Sequence, residues 1–244
     1  MRKAREETGR FLAEGLKIVT EAVELGRAPR ILLHSADAAA HPLLRRAAAA
    51  TEAAKGEVIE VNHEILAKIS RRDNPQTVLA VFDQAFAPLA SLGPHTAPCW
   101  VALEAVRDPG NLGTIIRTAD AAGCGGVILV GDCCDAYSVE AVRATMGSIF
   151  AVPIARATAA EFLAWRGAWP GSVVGTLLTA TTDFRAAPYA PPTLILMGNE
   201  QAGLTPDLAA ACDVTVKIPM RGRADSLNLA VATGIMIYAA TGAA

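Results

Sequence analysis

The chain has 244 residues, of which 52% are apolar and 19% charged, with 20 Gly and 14 Pro. That composition supplies a large buried core and excludes a disordered chain. A formal net charge of −2 excludes a uniformly basic nucleic-acid binder, so any basic face is local. No apolar run reaches the roughly 18 residues of a membrane helix, which argues against a membrane span. The start, Arg2-Lys3-Ala4-Arg5-Glu6-Glu7, leads into an amphipathic stretch where a secretory signal would place an apolar core. Cys99, Cys124, Cys133, Cys134 and Cys212 show no C-x-x-C or Cys/His ligand spacing. Reduced thiols in a cytoplasmic protein without a metal site are expected.

In chain order, apolar positions at Phe11, Leu12, Leu16, Val19 and Val23, with Gly26 as a stop, predict an amphipathic helix from Thr8 to Gly26. Arg30 to His34 reads as a strand, His41 to Lys55 as an Ala-rich helix, and Val58 to Val61 as a strand. Glu64 to Ser70 reads as a short helix and Val78 to Phe82 as a strand. This alternation predicts a small α/β domain over residues 1 to 84. Residues 85 to 98, rich in Ala, Pro, Gly and Ser, read as a linker.

From 99 to 244 the pattern is stronger. Apolar runs at Trp100 to Val106, Val127 to Val130, Val173 to Leu178, Thr193 to Met197 and Val214 to Ile218 predict buried parallel strands. Helices are expected at Leu112 to Ala122, Val139 to Thr145, Ala159 to Trp165, Pro206 to Ala211 and Leu227 to Ala240. An open α/β sheet follows, with its ligand site beyond the carboxyl ends of strands. Three loops lie there: 107 to 113, 198 to 204 and 219 to 226.

The first loop, Arg107-Asp108-Pro109-Gly110-Asn111-Leu112-Gly113, leads to Arg117 on the following helix. Asn111 can cap that helix, and Arg117 sits about 120° round from it. The competing reading of the pair is a cap with a surface arginine. In the second, Gly198-Asn199-Glu200, Gly198 allows a sharp turn or close approach, and Glu200 needs a functional partner or a structural one such as an N–H cluster or an Arg. In the third, Ser226 or Asp225 is a plausible helix cap. Basic spots occur at Arg2-Lys3-Arg5, Arg71-Arg72 and Arg221/Arg223, and solvated surface is their default reading. Residues 1 to 95 hold 13 Lys/Arg against 12 Asp/Glu, and the remainder 9 against 12. Trp100, Trp165 and Trp169 read as packing residues.

Absences narrow the chemistry. There is no G-x-G-x-x-G after a strand, no P-loop and no nucleophile elbow. His34, His41, His63 and His95 all precede the second domain, which removes histidine bases and His-bearing metal sites from it.

Together and in order, the three loops resemble the three motifs of the SpoU branch of the SPOUT RNA ribose methyltransferases, also called the TrmH family. The match runs from Asp108-Pro109-Gly110-Asn111-Leu112-Gly113 through Arg117-Thr118-Ala119-Asp120. It continues with Met197-Gly198-Asn199-Glu200 and Gly203-Leu204, then Ile218-Pro219-Met220 and Ser226-Leu227-Asn228. The segment Glu14-Gly15-Leu16-Lys17-Ile18-Val19-Thr20-Glu21-Ala22 is similar, more loosely, to the opening of the family's small ribosomal-protein-like α/β substrate-binding domain. The resemblance implies an α/β SPOUT domain with a parallel sheet and a deep trefoil knot, an exception to the usual ban on threaded chains. It implies S-adenosylmethionine held near Gly198, Ile218, Met220 and Leu227, and homodimers with the active site completed near the subunit boundary. Arg117 is the central catalytic residue by this resemblance, with Asn111, Glu200, Ser226 and Asn228 around the ribose.

Transfer of a sulfonium methyl to a ribose 2′-hydroxyl expels a neutral thioether, so no acid is needed for the leaving group, which suits a site lacking histidine. Family accounts cast the arginine as a base. A guanidinium loses its proton only above about pH 12, which favours positioning and alkoxide stabilisation. Arg71, Arg72 and Asn74 are the expected RNA contacts of the first domain. Ribosomal RNA is the expected substrate, with transfer RNA, a ribosomal resistance role and a catalytically inactive RNA-binding factor as the alternatives.

Overall fold

A computed structural model of the chain describes residues 2–242. It contains two compact units. Among the described residues, the first comprises 2–85 together with 135–151, and the second comprises 86–134 together with 152–242.

In the first unit, a four-stranded sheet has the order β1-β4-β2-β3, built from β1 (Arg10–Glu14), β2 (Ile31–His34), β3 (Glu57–Glu60) and β4 (Val78–Asp83). β4 is antiparallel to β1 and β2, and β2 is parallel to β3. The helices are α1 (Arg2–Thr8), α2 (Leu16–Glu24), α3 (Pro42–Ala53) and α4 (His63–Ser70). The continuous helix expected from Thr8 to Gly26 is therefore corrected: its first third is strand β1. Gly9 and Gly15 both take positive φ, a conformation other residues adopt at a cost, and they bracket a five-residue segment whose backbone pairs along β4. Phe11 and Ala13 face the core at period two. Residues 135–151, which carry α6 (Val139–Thr145), complete this unit. The Phe11 ring lies 4.6 Å from Tyr137 and 5.7 Å from Phe150, and Phe82 lies 4.7 Å from Phe150.

The second unit is an eight-stranded sheet of order β10-β12-β9-β11-β6-β7-β8-β5, with every neighbouring pair parallel. Its strands are β5 (Phe86–Ala87), β6 (Cys99–Glu104), β7 (Val127–Val130), β8 (Ile154–Ala157), β9 (Val173–Thr176), β10 (Thr182–Asp183), β11 (Thr193–Met197) and β12 (Val214–Lys217). Its helices are α5 (Pro109–Ala121), α7 (Ala159–Arg166), α8 (Pro206–Ala210) and α9 (Leu229–Thr241). β6, β7 and β11 are buried along their whole length, as strands covered on both faces must be. Trp100, Phe162 and Trp169 pack within one apolar cluster. The stretch 85–98 is ordered: Phe86–Ala87 joins the sheet edge beside β8, and two 3₁₀ turns follow.

From β6 the chain steps outward through β7 and β8, then crosses to the far side of β6 for β9, β11 and β12. The strand order thus reverses between β6 and β11, the kind of switch point where open α/β sheets open a crevice.

Candidate active site

The loops that follow β6, β9, β11 and β12 leave four adjacent strands of the sheet at their carboxyl ends. They surround a cavity of about 380 Å³. Its lining includes Asn111 from α5, Gly198 and Glu200 after β11, and Ile218, Met220, Ser226, Leu227 and Asn228 after β12. Eight of the nine residues expected at the methyl-transfer site, drawn from three separated segments, thus meet in one place.

A chain of polar contacts holds the loops in register. The Glu200 carboxylate accepts from the backbone N–H of Arg107 (3.3 and 3.4 Å) and of Asp108 (3.3 Å). It also accepts from the side-chain amides of Asn111 and Asn199, each at 3.4 Å. These distances are long for individual bonds, so the charge is shared over several weak donors. Asn228 donates to Asn111 Oδ1 at 2.9 Å, and its own Oδ1 accepts from the N–H groups of Ala230 and Val231. Asn199 donates to the Ala105 carbonyl at 2.8 Å and turns its own loop by accepting from Gln201 and Ala202. Backbone N–H groups, with two side-chain amides, are the structural partner of Glu200 here, and the same residue lines the cavity.

Two expected caps are corrected. Asp108 caps α5, accepting from the Asn111 N–H at 2.6 Å. The Pro at the first helical position leaves no N–H there to satisfy, and this moves the cap three residues upstream of Asn111. Asn228 caps α9, while Ser226 lies outside the helix at the exposed rim and donates to Asp225. Arg117 stands apart from the other site residues: it is exposed on α5 and does not line the cavity. Arg71, Arg72 and Asn74 follow α4 in the first unit. Arg71 and Asn74 are exposed, and Arg72 lies 3.8 Å from the buried Glu14 carboxylate.

Thr176, Leu177 and Leu178 also line the cavity, and the sequence reading passed over them. Thr176 ends β9 and Leu177 and Leu178 follow it, so the rule that sites sit at carboxyl ends of strands is the signal that marks them. At Gly198 an added Cβ would collide with the backbone of Gly203 and Leu204. The two arms of the turn therefore touch, and Asn199 and Gly203 pair across it.

The cavity falls at the lower end of the roughly 300–1,000 Å³ typical of small-molecule sites. Its lining mixes apolar side chains (Leu177, Met197, Leu227, Ala232) with Thr176, Asn111, Asn228 and one carboxylate. That combination fits a nucleoside-bearing molecule with a polar tail. Among the described residues no group of His, Cys, Asp and Glu could hold a metal ion, and no helix is long and apolar enough to cross a membrane.

Residues 98–238 match the SpoU rRNA Methylase family and residues 1–80 match the MRM3-like substrate binding domain. The chain is 33% identical to the 23S rRNA (uridine(2479)-2'-O)-methyltransferase of Streptomyces viridochromogenes, across 98% of this chain and 85% of that protein. It is 30% identical to the 23S rRNA (guanosine(2553)-2'-O)-methyltransferase RlmP of Bacillus subtilis, across 97% and 90%. Among solved structures, the AdoMet-bound rRNA methyltransferase from Sinorhizobium meliloti superposes with a TM-score of 0.93 at 49% identity, covering 100% of this chain and 91% of that one. The SpoU methyltransferase AviRb from Streptomyces viridochromogenes in complex with AdoMet gives 0.88 at 32% identity, covering 100% and 93%. With a family match over more than half its length and relatives aligned nearly end to end, the chain belongs to the SpoU rRNA methylase family.

Proposed function

We propose that this protein transfers a methyl group from S-adenosylmethionine to the 2′-hydroxyl of a ribose in ribosomal RNA. The observation that carries the reading is the convergence of Asn111, Gly198, Glu200, Ile218, Met220, Ser226, Leu227 and Asn228 on one cavity. The 23S rRNA activity of two relatives aligned nearly end to end supports the choice of ribosomal over transfer RNA.

When bound, the donor supplies a sulfonium methyl: the ribose oxygen bonds to carbon as the S–CH3 bond breaks, its electron pair stays on a neutral thioether, and the hydroxyl proton passes to water. The chain's own residues bind and align. Gly198 and the loop after β12 wall the donor, while Glu200, Asn111 and Asn228 fix the loops around it. Alignment of this kind supplies about 7 to 11 kcal/mol of a two-substrate barrier.

Arg117 enters this reading through a second copy of the chain. Val231 and Tyr238 are 53% and 41% exposed on α9. Seven residues apart, they share one helix face with Gly234 and Ile235, and α9 packs on α5, where Gly234 lies against Thr118. An exposed apolar face of this kind suits a homodimer contact, and Arg117, next to Thr118 on α5, borders it, so a two-fold assembly there would set Arg117 near the subunit boundary, where the family resemblance implies that the active site is completed. There its fixed charge would position the hydroxyl and stabilise the alkoxide. Arg71, Arg72 and Asn74 would hold RNA phosphates on the first unit. The trefoil knot belongs to the same proposal and is supported by the insertion of β11 between β6 and β9, both earlier in the chain. Transfer of tritium from labelled S-adenosylmethionine to 23S rRNA, followed by nuclease-resistance analysis of the 2′-O-methyl linkage, tests the function. Label in a base, or none in RNA, would refute it.

A further inference from the structure

A second cavity, of about 570 Å³, adjoins the donor cavity, and Asn199, Glu200, Gln201 and Gly203 line both. The remainder of its wall comes from Glu104, Ala105, Arg107, Asp108, Ala202 and Thr205. Its polar character is acidic: Glu104, Asp108 and Glu200 contribute carboxylates, and Arg107 is the one cation in the lining. The Arg107 guanidinium already pairs with Asp132 at 2.8 Å. Such a surface repels a phosphate group and accepts hydrogen bonds from hydroxyl and amino donors.

Glu104 is unusual among these carboxylates. It ends the buried strand β6 and is only 7% exposed, and a carboxylate so placed needs donors. Oε2 accepts from the Thr205 N–H at 2.8 Å. The next residue, Ala105, takes φ +47°, a conformation that costs a non-glycine residue energy. This turn carries the chain away from the strand and leaves the Glu104 side chain in the cavity wall.

We propose that the second cavity receives the acceptor nucleoside, swung out of its RNA stack, with Glu104 accepting from its ribose hydroxyl or base amino groups. This rests on the methyl-transfer function proposed above and adds where the acceptor sits. Donor and acceptor occupy opposite sides of the Asn199–Gly203 turn, and the 2′-oxygen meets the methyl group at the rim they share. Enzymes whose target is shut inside a base-paired stack extrude the nucleotide into a pocket, and an acidic lining takes up such a nucleoside while leaving its phosphates outside.

Ala202 allows a clean test, because it lines the second cavity and not the first, and it is exposed. An Ala202→Trp variant should bind S-adenosylmethionine within about twofold of the parent by calorimetry and lose at least about tenfold in kcat/KM toward a 23S rRNA transcript. A smaller loss in a variant that melts like the parent would overturn the proposal, as would loss of donor binding. The Glu104→Gln variant keeps the shape and an acceptor for Thr205, and should raise KM for the transcript without changing donor affinity. An unchanged KM would remove Glu104 from the acceptor site. Failure of the parent itself to bind the donor would refute the proposed function and is read separately.

Discussion

Gly198 has no room for a side chain, because the returning arm of its own turn fills the space one would need. Gly198→Ala should lower stability by about 1–3 kcal/mol, the usual cost of forcing atoms into filled space, and weaken S-adenosylmethionine binding at least about tenfold. Thermal unfolding and calorimetry report the two effects, and parent-like values for both would show the turn to be pliable. Arg117 behaves differently. Its exposure, away from the cavity of its own chain, predicts that Arg117→Ala leaves stability and donor affinity unchanged while turnover falls about 100- to 1,000-fold, the range for losing one transition-state donor. Near-normal turnover would remove it from the mechanism. Cys212 gives a pH-dependent reading: burial pushes its thiol up to about 11. Since the folded state holds this proton more tightly than the unfolded chain, its contribution to stability is complete below about pH 9. That contribution is lost as pH rises toward 11. Thiol reagents at pH 8 should label Cys212 only in unfolded protein, and rapid labelling of the native chain would contradict the shift.

At the scale of elements, caps connect the helices to the site. Asp108 caps α5 and Asn228 caps α9, and replacing either by Ala should cost about 1 kcal/mol. The two variants should separate in function. Asn228→Ala also breaks the bond to Asn111 that joins two loops, so it should lower donor affinity more than Asp108→Ala does, as paired calorimetric titrations would show. Elements were legible in the sequence where burial imposes a continuous apolar run: β6, β7 and β11 read directly as strands. β8 escaped because Arg156, with an exposed side chain, interrupts a four-residue segment. β1 escaped because Phe11, Leu12, Leu16 and Val19 satisfy a helical period across Gly15, and only pairing with β4 distinguishes strand from helix there. The site was legible through three loops at strand ends. The lining from Thr176 to Leu178 carries no distinctive residue types, and the capping roles of Asp108 and Asn228 depend on local backbone geometry that spacing alone left open.

At the scale of the whole molecule, the first unit is not a contiguous piece of sequence. Tyr137 and Phe150, which lie beyond β7 in the chain, cover Phe11 and Phe82. Aromatic pairs of this kind contribute about 0.5–1.5 kcal/mol each beyond area burial. A fragment of residues 1–84 should therefore bind hydrophobic dyes and lack a sharp thermal transition, and a cooperative melt would contradict this. No local pattern announces such a long-range return. The homodimer contact proposed on the exposed face of α9 predicts that Val231→Asp sediments as a monomer where the parent sediments as a dimer, and that it loses turnover while donor binding persists. The whole reading meets its sharpest test in the RNA of a strain lacking this protein. Reverse transcription at low nucleotide concentration should reveal one stop in the parent's 23S rRNA that is missing from the deletion strain and restored by the intact gene. Identical stop patterns in the two strains would contradict ribose methylation of ribosomal RNA by this chain.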